Sequence, residues 1–305
     1  MLTRTLNARR RGLAVLCGLL LVAIGLTAAP PAGAAVSPAS ERPAVFRNGT
    51  WFLRPALSSG PSVSFGFGLA GDRPVMGDWD RDGLDTVGVF RNGTWFQRNA
   101  NSSGPSTSFG FGLAGDLPVA GDWNGDGRDT PGVFRDGVWF LRNANSSGPS
   151  TSFGFGLPGD LPVVGDWDGD GDDTPGVVRG ANWFIRNANS SGPSSTFRFG
   201  LAGDLPVAGD WDQDRDDTPG VFRNGTWFYR NGLGPSVVHS FGFGLAGDLP
   251  AVWSRSRCSP AYSGVCVPPP PPDLDCGDIS ARNFRVRPPD PHRFDGDRDG
   301  IGCET

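Results

Sequence analysis

Residues 121–164 read GDWNGDGRDTPGVFRDGVWFLRNANSSGPSTSFGFGLPGDLPVV, and this 44-residue pattern recurs along the chain without a gap. Trp51, Trp95, Trp139, Trp183 and Trp227 fall in one column, and Phe65, Phe109, Phe153, Phe197 and Phe241 in another. A third column holds Trp79, Trp123, Trp167 and Trp211, so nine of the ten tryptophans obey one lattice. A fixed period of this size is the mark of a repeat architecture. Within the unit, VFRNGTWF (45–52) sets β-branched and aromatic residues on either side of Asn-Gly, the pair that accepts positive φ in a type I′ hairpin turn. Next, WFLRNANSSGPS (139–150) runs from an apolar strand into a polar loop. STSFGFGLAGD (106–116) alternates so that Phe109, Phe111 and Leu113 share one strand face, with glycine on the other to admit a neighbouring sheet. The segment PVAGDW (118–123) is the fourth strand.

Four short antiparallel strands per 44 residues is the size of one propeller blade, and the Gly and Pro spacing denies the long runs a helical solenoid needs. The pattern begins at Pro43-Ala44-Val45-Phe46, which matches mid-unit Pro131-Gly132-Val133-Phe134. It ends at Leu249-Pro250-Ala251-Val252, which matches the unit's opening, Leu117-Pro118-Val119-Ala120. The two ends are complementary parts of one blade, and pairing them removes the free sheet edges that invite aggregation. The expected fold is all-β: a five-bladed β-propeller over residues 43–255, closed by its N- and C-terminal strands.

Composition agrees. The chain of 305 residues has 47 Gly and 28 Pro, a level at which disorder must be considered, but its 33 aromatics supply apolar side chains that an unfolded polymer lacks. All 27 basic residues are Arg, against 32 acids, so no basic face for nucleic acid and no polybasic membrane patch is expected. Residues 1–34 have the layout of a secretory signal peptide. Arg9, Arg10 and Arg11 precede an uncharged run from Gly12 to Ala29 and the small-residue site Ala32-Gly33-Ala34. Cleavage after Ala34 or Ala35 takes the net charge from -5 to -9 and leaves no membrane-inserted segment. The expected location is secreted or extracellular, including association with the cell surface.

Each complete unit carries an acidic run: GDWDRDGLDT from Gly77, GDWNGDGRDT from Gly121, GDWDGDGDDT from Gly165 and GDWDQDRDDT from Gly209. Counting from the first Asp, oxygens recur at positions 1, 3 and 5, which lets alternate side chains converge on a hard cation of calcium's size. Gly at position 6 doubles the backbone back, position 7 offers a carbonyl, and an acid at position 8 closes the shell. The candidate ligands are Asp78, Asp80, Asp82 and Asp85; Asp122, Asn124, Asp126 and Asp129; Asp166, Asp168, Asp170 and Asp173; and Asp210, Asp212, Asp214 and Asp217. A solvated acidic turn is the alternative, but so many like charges in four loops call for a counter-ion. In the fourth loop Arg215 replaces the turning Gly, and the closing blade has no such loop, so four propeller ions are the maximum.

GDWNGDGRDTPGVF, with FGFGLAGDLPV before the next loop, resembles the FG-GAP (integrin-α-like, VCBS-like) repeats of bacterial secreted proteins, over about 43–252. The resemblance implies a β-propeller with Ca2+ in a hairpin loop of each blade. One departure is that the family's last acid stands at position 9, whereas here position 8 is Asp and position 9 is Thr.

Four cysteines remain after export, Cys258, Cys266, Cys276 and Cys303, an even number in an oxidising setting. Three pairings are open on paper. A proline run, Pro268 to Pro272, separates the couples and favours Cys258 with Cys266 and Cys276 with Cys303. Residues 256–272 are the expected Cys/Pro-rich linker. The segment 273–305 has few apolar residues and needs a disulfide or a metal to fold. Its Asp273-Leu274-Asp275-Cys276 and DGDRDGIGCE (295–304) resemble the excalibur domain, a bacterial extracellular calcium-binding module. One further Ca2+ is expected among Asp295, Asp297, Asp299 and Glu304.

For catalysis the inventory is poor: two His, His239 and His292, both expected at the surface, no Lys and no GxSxG motif. A non-catalytic calcium-binding protein, an adhesion or binding module for a surface macromolecule, is the expectation. The alternative is a calcium-dependent lectin stacking sugar on exposed tryptophans, although each such Trp lies in an apolar strand beside Phe, where core is the natural place. A secreted hydrolase accessory protein is the second alternative.

Overall fold

The computed structural model describes residues 41–254, 261–263, 265, 267, 274–279 and 281–304. The expected signal peptide, the proline run and the Cys258–Cys266 pairing lie outside the described residues. Every described element is a β-strand. In chain order the first are β1 (Arg42–Arg47), β2 (Thr50–Leu53) and β3 (Val63–Gly66). Then come β4 (Arg73–Gly77), β5 (Thr86–Arg91), β6 (Thr94–Gln97) and β7 (Thr107–Gly110), which form a four-stranded antiparallel sheet in sequence order. The same sheet recurs as β8 (Leu117–Gly121), β9 (Thr130–Arg135), β10 (Val138–Leu141) and β11 (Thr151–Gly154). It recurs again as β12 (Leu161–Gly165), β13 (Thr174–Arg179), β14 (Asn182–Ile185) and β15 (Ser195–Arg198). A fourth copy is β16 (Leu205–Gly209), β17 (Thr218–Arg223), β18 (Thr226–Arg230) and β19 (Val238–Gly242). β20 (Leu249–Trp253) pairs with β1, completing a fifth sheet in the order β20-β1-β2-β3. The innermost strands β4, β8, β12, β16 and β20 neighbour one another in a closed cycle, so the fold is a five-bladed propeller closed by its two ends.

The hairpins form as the Asn-Gly pairs require. Asn48 and Gly49 have φ of 49° and 85°, both positive, as in a type I′ turn. The first Trp column is the core of each blade. Trp51, Trp95, Trp139, Trp183 and Trp227 are at most 2% exposed, and each indole Nε1 donates to the carbonyl of the Phe sixteen residues on, as Trp139 does to Phe155 at 2.9 Å. The column of Trp79, Trp123, Trp167 and Trp211 is also buried, at 3–6% exposure, and Trp79 Nε1 donates to Thr86 O at 3.1 Å across the base of the acidic loop.

The expected face shared by Phe109, Phe111 and Leu113 does not form. β7 ends at Gly110, and Gly112 at φ +92° turns the chain, so Phe111 is buried while Leu113 is exposed. Of the two glycines between these side chains, Gly110 is open, an added Cβ finding its nearest neighbour 4.0 Å away, whereas at Gly112, just beyond the strand, it would lie 3.0 Å from Val133 of the adjacent blade. Within the strands, Gly77 and Gly88 are crowded as well, an added Cβ lying 3.0 Å from the Trp79 ring in each case. The closing blade carries Trp253 at the lattice place of Gly77, packed on the cluster that holds Ala44.

Adjacent blades are joined by a column of arginines. Arg142 stacks 4.1 Å over Phe111 of the neighbouring blade and donates to Ser146 O and Gly148 O, winding the NANSSGPS loop around its guanidinium. Arg186 does the same over Phe155, with Ser190 O and Gly192 O.

The C-terminal part forms a separate three-stranded sheet of β21 (Tyr262–Ser263), β22 (Phe284–Val286) and β23 (Ile301–Gly302). This sheet reaches back to Tyr262, inside the span expected to be linker, because Tyr262, Val267, Phe284, Val286 and Phe294 share one apolar cluster. Cys276 and Cys303 are disulfide-bonded. His292 is buried rather than at the surface, with Nδ1 accepting from Leu274 N at 3.0 Å and the ring against Tyr262. His239 is exposed and stacks on Tyr229.

Candidate metal centres

Each acidic run lies between the innermost strand of a blade and the next. Its first residue organises it. Asp78 Oδ1 accepts from Arg81 N at 2.6 Å and Asp82 N at 3.0 Å, while Oδ2 accepts from Gly83 N at 2.7 Å. Asp122, Asp166 and Asp210 hold their own loops in the same way. The fifth residue repeats a second bond, Asp82 Oδ1 accepting from Leu84 N at 2.9 Å. Such a tight ring of N–H groups requires left-handed backbone at position 6, where Gly83, Gly127 and Gly171 have φ of 82°, 84° and 93°. In the fourth loop Gln213 and Arg215 adopt φ of 71° and 90° without glycine, at a cost of about 1–2 kcal/mol each.

The geometry brings positions 1, 3 and 5 together. In the triads Asp78-Asp80-Asp82, Asp166-Asp168-Asp170 and Asp210-Asp212-Asp214, one oxygen of each residue lies within 4.8 Å of the others. In the second loop Asn124 replaces the middle acid, with its Nδ2 3.4 Å from Asp126 Oδ2. The C-terminal segment has the same design. Asp295, Asp297 and Asp299 form a triad, Asp295 accepts from Asp299 N and Gly300 N at 3.1 and 2.9 Å, and Asp299 accepts from Ile301 N. Glu304, the expected fourth ligand, is exposed and stands outside that triad, with Asp299 and Asp297 pushing its carboxyl above the ordinary range. Oxygens within 4.8 Å of one another can share a centre at calcium's 2.3–2.6 Å bond length, and a donor set of oxygen alone suits a hard cation.

Position 8 behaves differently from the sequence expectation. Asp85, Asp129, Asp173 and Asp217 belong to none of the triads. Each instead holds the neighbouring blade. Asp129 Oδ2 accepts from Asp78 N at 2.7 Å, and Asp129 N donates to Asp78 O at 3.0 Å. The same two bonds join Asp173 to Asp122 and Asp217 to Asp166. At the closing blade Asp85 Oδ2 accepts from Ser254 N, and Glu41 N donates to Asp210 O. Position 9 does not take over, because Thr86 is buried with Oγ1 3.5 Å from Gly77 O at the loop base.

The five clasping acids, Glu41 included, line a central cavity of about 340 Å³. Burial, reinforced by neighbouring carboxylates, pushes Asp217 up to about 8 and Asp129 to about 6, and holds Glu41, Asp85 and Asp173 well above the ordinary range. Burial also pushes Asp78 up to about 7. Glu41 and Ser254 were missed because their residue types differ. Their positions are on the lattice, 44 before Asp85 and 44 after Asp210, where the period alone would have found them. Asn99, whose Nδ2 donates to Asp80 Oδ2 at 2.7 Å, comes from the polar loop of the same blade and stands in a column with Asn143, Asn187 and Asn231. No protein-family model matches the chain, and no curated protein matches it.

Proposed function

We propose that this chain is an exported, non-catalytic calcium-binding protein whose propeller offers a rigid surface for adhesion to another macromolecule at the cell surface. The observation that carries the reading is the repetition of one oxygen triad on one N–H cradle in the acidic loops of the propeller and again beside the Cys276–Cys303 disulfide. It supports membership of the propeller among FG-GAP-like calcium proteins and of the C-terminal part among excalibur-like modules. Bound calcium would supply positive charge to carboxylates that otherwise repel one another. The chain's own contribution is to hold each triad through the first Asp and to brace the loop base with a Trp indole. Both Trp columns are buried, so the lectin alternative lacks the aromatic platforms it needs. Among the described residues no helix is long and apolar enough to cross a membrane.

Titration calorimetry on the exported chain should count up to five ions, four in the propeller and one in the C-terminal module, and chelation should lower the melting temperature at fixed pH. Asp168→Lys, which replaces a ligand oxygen by a positive charge, should remove one ion from the count. The Asp210 loop, with two non-glycine residues in left-handed backbone, should bind most weakly. Melting that is unchanged by a chelator overturns the metal assignment.

A further inference from the structure

We propose that the four acidic loops of the propeller are linked in series around the ring, so that they take up calcium cooperatively, while the C-terminal loop binds independently. This rests on the reading that the loops hold calcium. The linkage is carried by the position-8 carboxylates, which act as clasps between blades and not as ligands. Asp129 ends the second loop, yet its two hydrogen bonds fix the backbone of Asp78, which begins the first. Asp78 is also the residue whose two side-chain oxygens gather the N–H groups of positions 4, 5 and 6. The end of one loop therefore sets the hub of the next. Ordering a loop from position 1 to position 8 orders its clasp, and the clasp pre-organises the neighbouring triad. The second ion then meets a loop whose freedom is already reduced, and coupling through shared ordering gives positive cooperativity.

The series has two ends. Glu41 holds Asp210 of the fourth loop, and Asp85 of the first holds Ser254, which stands where the closing blade lacks an acidic loop. The C-terminal loop supplies an internal control. Its first residue receives the same kind of clasp, Asp295 N donating to Asp290 Oδ2 at 2.9 Å, but Asp290 lies five residues upstream and belongs to no other triad.

Calcium titrations of the full chain decide the matter, followed by calorimetry and by tryptophan fluorescence. Wild type should show one independent site and a four-ion class with a Hill coefficient above unity, the last of the four ions binding roughly tenfold tighter than the first. Asp129→Ala should leave the ion count unchanged and lower the Hill coefficient by splitting the series. Asp129→Asn keeps an acceptor oxygen for Asp78 N and should restore it. Four equal, independent propeller sites in wild type overturn the proposal. So does an Asp129→Asn chain that loses one ion, which would make position 8 a ligand. Should Asp129→Ala fail to fold, the wild-type isotherm and the Asn variant still decide. An absence of any calcium binding is a separate result, which removes the underlying reading as well.

Discussion

In the presence of a chelator the melting temperature should rise as pH falls from 8 to 5, and saturating calcium should reduce that rise. The first half follows from the buried acids. Asp78, Asp129 and Asp217 are pushed up to about 7, 6 and 8, and Glu41, Asp85 and Asp173 also stand well above the ordinary range, with burial as the first cause in each case. An unfolded Asp titrates near 3.9. Between about pH 4 and pH 8 the folded chain therefore binds protons that the unfolded chain has released, and stability increases as pH falls through the folded values. Asp78 alone, pushed up to about 7, contributes over the roughly 2 units between that value and pH 5, at roughly 1.4 kcal/mol each, about 3 kcal/mol. For a domain of this size that is on the order of 10 °C in melting temperature. The acids around the cavity are coupled, so their effects do not simply add. With calcium present Asp78 and the other triad carboxylates are held ionised by the cation, and protons compete with it for those oxygens, so acid removes the stabilisation that calcium gives. The clasping acids around the cavity lie outside the triads and keep their own response to pH. Differential scanning calorimetry at fixed ionic strength, with and without chelator, measures both slopes. Equal slopes in the two conditions would mean that protons and metal do not share these carboxylates.

Trp139→Ala should be among the most damaging single substitutions, with an expected loss of about 3–5 kcal/mol. The indole is fully buried, lies opposite Phe134 and Phe153 in the two flanking strands, and has ring centroids 5.5 and 6.4 Å from theirs. Its removal leaves a cavity in a β-sheet layer that cannot collapse without moving a strand, and it strips Phe155 O of its donor. Trp139→Phe fills much of that space and should lose about 1–3 kcal/mol, chiefly through the unsatisfied carbonyl. Denaturant unfolding followed by circular dichroism would separate the two. A loss below 1 kcal/mol for the alanine variant would show that the blade repacks, contrary to the rigid stacking described here.

Much of this architecture is legible in the chain because it is repeated. The Asn-Gly pairs set the hairpin turn locally, and the tryptophan lattice sets blade size and number. The offset between Pro43 and Val252 sets how the ring closes, as the β1–β20 pairing bears out. The triads at positions 1, 3 and 5 are equally local, since three residues of one tight loop must lie close to each other. Position 8 was not legible. Its spacing from Asp78 suits a closing ligand in one isolated loop, and nothing within the repeat says that a neighbouring backbone N–H will compete for Asp85. The role of Arg142 was hidden for the same reason, because its partner Phe111 belongs to the adjacent blade.

Period, turn chemistry and alternation, all interactions of short range along the chain, determined the strand order within blades, their number and the identity of the oxygen triads. Only closure of the ring decided which acids serve as clasps and that five carboxylates surround one cavity. Those outcomes depend on pairs of residues about 50 positions apart brought together at blade junctions. The period marks each partner of such a bond but not the blade it reaches, which is why the pairing becomes visible only after the sheets have packed.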